Sequence, residues 1–180
     1  ASPSLALAQG TPQGTPPQQA APDDRLARTA DAYRVKTWPA SGPARVGVSP
    51  RDLAAAGWSS RDYTVDPRRG EGVARLAQDA SGAEVVVVAR VLATASEARQ
   101  ELLVELAAGQ RVLDPVPGVG EVAFGAKGER ALRFLHAVRG NVLFEVRAVA
   151  RADELGAQAL VELAMAMDRL VQAAAPLEPG

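Results

Sequence analysis

The chain has 180 residues, 47% hydrophobic, 4% aromatic and 23% charged, enough apolar material for one core built from Val, Leu and Ala. With 20 basic and 21 acidic residues the formal charge is -1, so no global field draws it to nucleic acid or an anionic membrane. It has no cysteine, which excludes disulfides, thiolate nucleophiles and sulfur-ligated metals.

Residues 1–22 read as a signal-peptide remnant followed by a tether. Ala6-Leu7-Ala8 before Gln9 has the small-x-small form of a signal-peptidase site, which points to a secreted or periplasmic location; an Ala/Pro-rich tail without that role fits the same residues. Residues 9–22 hold no charge and repeat Gln-Gly-Thr-Pro in tandem, a composition that cannot offset its ordering entropy. The longest apolar run, Val85 to Leu92, is broken by Arg90, so no membrane span is expected.

A lead-in segment covers 23–61. Asp23 or Asp24 is placed to cap a helix carrying Leu26, Ala30 and Tyr33, and Ala44 to Val48 reads as a short strand. Ser49-Pro50-Arg51-Asp52 has a cap and a proline at the first helical position, with Gly57 as the stop. The main domain spans 62–175. Strands are expected at 62–66, 73–78 and 83–92, the last two joined by a turn at Asp79 to Gly82. Thr94 and Glu97 form a capping box for a helix with Ala98, Leu102, Leu103 and Leu106 on one stripe, ended by Gly109. After a loop at 113–120, strands are expected at 121–125, 130–138 and 141–150. A helix from about Asp153 to Ala174 completes the domain, its stripe formed by Leu155, Ala159, Leu163, Met167, Leu170 and Ala174.

Residues 84–107 align without a gap on 141–164, an offset of 57, with 10 identities in 24 positions that include Leu103 to Ala107 against Leu160 to Ala164. Two copies do not make a solenoid. They predict an α+β fold made of a duplicated βββα unit (about 62–109 and 120–175), with a six-stranded, mainly antiparallel sheet and both helices on one face. Val85, Val87, Ala89, Val91 and their counterparts Val142, Phe144, Val146, Ala148 are assigned to the helix-covered side. The opposite side carries Val86, Val88, Arg90, Leu143, Glu145 and Arg147, a mixed face that is the candidate interaction surface, with the two arginines pointing to solvent. The lead-in segment is the other candidate to cover it.

Little in the sequence points to catalysis. His136, the only histidine, shares a face with Leu132, Phe134 and Val138 and reads as a hydrogen-bonded core residue turned towards the helices. One histidine without cysteine leaves no zinc cluster or triad. Glu97, Glu105, Glu154 and Glu162 fit caps and solvated helix faces. Gly118-Val119-Gly120 follows a helix and precedes a strand, the wrong context for a phosphate cradle, and reads as a bend. Nucleic-acid binding by the sheet needs aromatics on its open face, whereas Phe134 and Phe144 are assigned to the other side.

The run Val116-Pro-Gly-Val-Gly-Glu-Val-Ala123, then Leu132-Arg-Phe134, then Arg139-Gly-Asn-Val-Leu-Phe-Glu-Val146 before an Ala-rich helix resembles small bacterial envelope domains. These are the extracellular sensor domains of PknH-type kinases and the Mog1/PsbP-like lipoproteins. The similarity covers roughly residues 60 to 172. Glu121 stands where their loop has Asp, and their cysteines have no counterpart. The resemblance implies a non-enzymatic envelope domain and transfers no site residue. The expected function is therefore binding, of an envelope protein or a small ligand, without cofactor or metal. The alternatives are a structural subunit docking through the open sheet face and a carboxylate-dependent enzyme.

Overall fold

The computed structural model describes residues 22–128 and 131–177. Apart from Pro22, the expected signal remnant and tether lie outside them. Helix α1 (Pro22–Ala32) begins at its proline rather than at an Asp cap. The chain then turns through Arg34, in the left-handed region, into a single 3-10 turn at Val35–Thr37. The strand expected at 44–48 is one isolated bridge, Arg45 to Pro176, because Pro43 and the left-handed Gly47 (φ +69) flank it. Ser49 does act as a cap, accepting the Arg51 amide, but Pro50–Asp52 makes a 3-10 turn and no α-helix.

A meander of β1 (Trp58–Asp66), β2 (Glu71–Gln78) and β3 (Glu84–Val91) leads into α2 (Ala95–Ala108). The predicted Thr94 cap forms, its hydroxyl accepting the Glu97 amide at 3.1 Å, whereas Glu97 reaches one residue past the cap and accepts the Ala93 amide at 3.1 Å. The chain continues through β4 (Asp114–Pro115), β5 (Val122–Lys127), β6 (Leu132–Arg139), β7 (Val142–Ala150) and α3 (Ala159–Ala173). Gly120 (φ +62) makes the bend before β5, where an added Cβ would lie 2.7 Å from the Val138 carbonyl. The last helix starts later than Asp153, because Arg151 enters the left-handed region and the chain spends a 3-10 turn at Ala152–Glu154 first.

The fold is α+β, with a seven-stranded antiparallel sheet in the order β1-β2-β3-β7-β6-β5-β4. The seventh strand is Asp114–Pro115, expected as loop, which pairs with Phe124 and Gly125. At the centre Val88 pairs with Glu145, its counterpart 57 residues on, so the strands read alike outward on either side of β3 and β7.

The helices do not follow that pattern. Phe144, Val146, Val85 and Val87 pack with Leu160, Leu163 and Met167 of α3. Leu143, Val138, Val122 and Phe124 pack with Ala98, Leu102 and Leu106 of α2. Neighbours on a strand point to opposite sides, so α2 and α3 cover opposite faces, and the expectation of both helices on one face is corrected. The reason is the continuous apolar run at the start of β7, which demands cover on both sides. The shared pentapeptide also sits differently: Leu103 to Ala107 ends α2, whereas Leu160 to Ala164 opens α3.

The lead-in segment serves both faces. Tyr33 and Trp38 stack near Phe124, with ring centroids 4.7 and 5.9 Å away, on the α2 side. Val48, Leu53 and Trp58 close the core on the α3 side. A clasp joins this segment to the chain beyond α3: the Val46 amide donates to Ala175 and the Leu177 amide to Ala44. The buried Asn141 side chain accepts the Arg45 amide and donates to the Arg45 and Leu92 carbonyls.

Candidate functional site

The six residues of the predicted surface share one face, as the register Val86–Arg147, Val88–Glu145 and Arg90–Leu143 requires. It is the face on which α2 packs, and the helix covers the end near Arg90. Leu143 is buried in the α2 core. Arg90 does not point to solvent as expected. Its side chain is 15% exposed, with Nε 2.8 Å from Glu71, Nη1 2.5 Å from Glu101 and Nη2 3.5 Å from Glu105. Burial is the largest single influence and opposes the charge, yet the hydrogen bond and charges of the three carboxylates outweigh it and raise the pKa. Arg90 pins α2 to the sheet. Arg147, 53% exposed and 3.5 Å from Glu145, does face solvent.

His136 faces α2, with Nδ1 3.9 Å from Glu145. Burial pushes its pKa below the usual imidazole value; Glu145 and Glu105 oppose this, while Arg147 and Arg90 add to it. Phe134 lies beside it in an edge-on contact at 5.5 Å. The placement of Phe134 with Leu132 and Phe144 is thereby corrected. An extra residue, Arg133, shifts the β6 register, so Leu132 joins the α3 core and Phe134 turns to the α2 face. Sequence alternation could not reveal that shift.

Two hollows flank this cluster. A groove of about 580 Å³ runs between the end of α2 and β6, lined by Glu105, Gln110, Arg111, Leu113, Phe134 and His136. Farther along, where α2 no longer covers the sheet, a shallow groove of about 620 Å³ is lined by Arg61, Asp62, Thr64, Val73, Arg75, Glu84 and Val86. Of the predicted residues only Val86 belongs to it. The β1 and β2 contributors escape sequence reading because nothing local assigns those strands a face.

The comparisons with known proteins are negative. No protein-family model, no characterised protein and no solved structure matches the chain. Among the described residues, no group of three or more His, Cys, Asp or Glu is placed to hold a metal ion, and no helix is long and apolar enough to cross a membrane. The uncovered surface carries arginine and carboxylate heads around an apolar floor.

Proposed function

We propose that this chain is a non-catalytic binding domain of the bacterial envelope, secreted or periplasmic, that holds a protein partner on the uncovered part of its α2 face. The observation that carries the reading is the incomplete cover. Helix α2 shields Arg90 and Leu143 and leaves Thr64, Val73, Arg75 and Arg147 accessible around a floor of Val86. Arginine heads around an apolar floor are enriched at the centres of protein interfaces. The Ala6-x-Ala8 motif and the resemblance to envelope sensor and lipoprotein domains support export.

The test uses the immobilised full chain, wild type and an Arg147→Glu variant, against a bacterial envelope extract. A protein retained by the wild type and lost by the variant, with unchanged melting, supports the reading. Equal retention by both overturns it. The Phe134–His136 groove favours a second reading, a small ligand, because it has an aromatic wall with a few polar groups converging on it. In that case Phe134→Ala, and not Arg147→Glu, abolishes binding.

A further inference from the structure

The two ends of the sheet are finished differently. Strand β4 is two residues long and ends in Pro115, which has no amide to offer a neighbour. Strand β1 runs for nine residues without proline or glycine and is exposed along most of its length. We propose that β1 is where a second copy of this chain joins the sheet, antiparallel, about a twofold axis between Arg61 and Asp62.

The hydrogen-bonding pattern shows which groups are on offer. The Asp79 amide donates to the Gly57 carbonyl at 2.8 Å, so Trp58 and Gln78 are a non-bonded pair of the ladder. The Val91 amide donates to the Gly70 carbonyl at 3.1 Å, which makes Glu71 and Arg90 a non-bonded pair and turns the polar backbone groups of Glu71 towards Asp66. Alternation from both ends leaves the N–H and C=O of Trp58, Ser60, Tyr63 and Val65 on the outer edge. The Tyr63 amide is held there by the Asp62 carboxylate at 2.8 Å.

The irregularity in β1 selects the occupant. Ser60 pairs with Leu76 and Asp62 with Arg75, so Arg61 is an extra residue, and both Arg61 and Asp62 line the groove. A bulge of this kind spoils pairing with a regular strand and usually protects an edge. An antiparallel copy is the exception, since it carries the same extra residue at the same place. Ser60 then meets Tyr63 of the second copy, and Trp58 meets Val65 of the second copy. These are the four residues with outward backbone groups, and each pair exchanges both its bonds.

The side chains agree with that register. On the groove face Arg61 meets Asp62 of the second copy, released from the Tyr63 amide as that amide finds the Ser60 carbonyl across the axis. Ser59 meets Thr64 of the second copy beside them. On the other face Val65, 57% exposed in the single chain, is covered by Trp58 of the second copy. Cross-strand pairs of opposite charge and of aromatic with β-branched residues each favour the arrangement. The axis is perpendicular to the sheet, so the two grooves open on the same side and run into one another.

Sedimentation of the full chain from micromolar to high-micromolar concentration tests this. The expected result is a concentration-dependent species of twice the 18.7 kDa chain mass. Arg61→Asp alone and Asp62→Arg alone each bring like charges together and raise the dissociation constant by at least about tenfold. The double variant with both changes recovers the dimer, and an equimolar mixture of the two single variants forms a mixed dimer. Ser60→Pro, which deletes an outward amide and leaves the ladder to β2 intact, also gives a monomer. A wild type that stays monomeric throughout overturns the proposal, as do single variants that dimerise normally or a mixture that stays monomeric. The partner-capture assay is scored separately, because Arg147→Glu leaves β1 unchanged.

Discussion

Replacing Arg139 with Met should be among the most damaging single changes outside the apolar core. Arg139 ends β6 and reaches Asp168 of α3, with Nε to Oδ1 at 2.5 Å and Nη2 to Oδ2 at 2.9 Å. Its Nη2 also donates to the Gly120 carbonyl at 3.1 Å, and Gln172 donates to Asp168 at 2.9 Å. The hydrogen bond to Asp168 is the main cause of the raised Arg139 pKa, which holds the guanidinium in its charged form. Asp168 is 6% exposed, whereas Arg139 is 29% exposed. Removing one partner of a buried pair costs about 3–5 kcal/mol, and water access on the arginine side favours the lower end, about 3 kcal/mol. At this chain length that is a fall of about 6–12 °C in melting temperature. The double change Arg139→Met/Asp168→Leu should lie within about 1 kcal/mol of wild type, because no charge is left stranded. Urea unfolding of the full chain measures all three variants. A cost below about 1 kcal/mol for Arg139→Met, or additive single changes, refutes this account of how α3 is held to the hairpin.

Arg90→Met should cost about 2–4 kcal/mol because it strands Glu71 among the α2 carboxylates, whereas Arg147→Glu should stay within about 0.5 kcal/mol. Equal costs in thermal unfolding would show that the two arginines play one role. His136 should titrate below the usual 6.5 by NMR, because burial disfavours its protonation. Its folded pKa lies below the unfolded value, so the unfolded chain binds the proton first. Stability conferred by the neutral ring is present above pH 6.5 and declines as pH falls towards the folded pKa. His136→Phe should flatten that decline, and an unchanged pH profile would assign it to other groups.

The positions of the six longer strands and the α2 boundaries were legible because they depend on local signals. Thr94 and Glu97 specify a helix start within four residues, and Gly82 and Gly140 mark hairpin turns by their positive φ. The assignment of helices to faces depends on long-range packing. Leu143, Val86 and Val88 looked like an exposed mixed strip, although Leu143 belongs to a second core completed by Tyr33 and Phe124, far away in sequence. Arg90 looked free for the same reason, since its three carboxylate partners come from another strand and a helix. Single-residue register shifts at Arg61 and Arg133 left no trace in periodicity, yet they set which side chains meet in the candidate site.

The clasp between residues 44–46 and 175–177 imposes an order on synthesis. The early half of the clasp leaves the ribosome long before its partner exists, and Asn141, which holds the Arg45 backbone, also arrives late. Until α3 and the residues after it have emerged, the segment carrying Val48 and Leu53 lacks its clasp to residues 175–177, and Ala74 and Leu76 on that side of the sheet lack their final cover. A nascent chain stalled before α3 therefore presents a half-dressed sheet with β1 already on its rim. That is the stage at which pairing between neighbouring chains on one messenger would compete with completion of the fold.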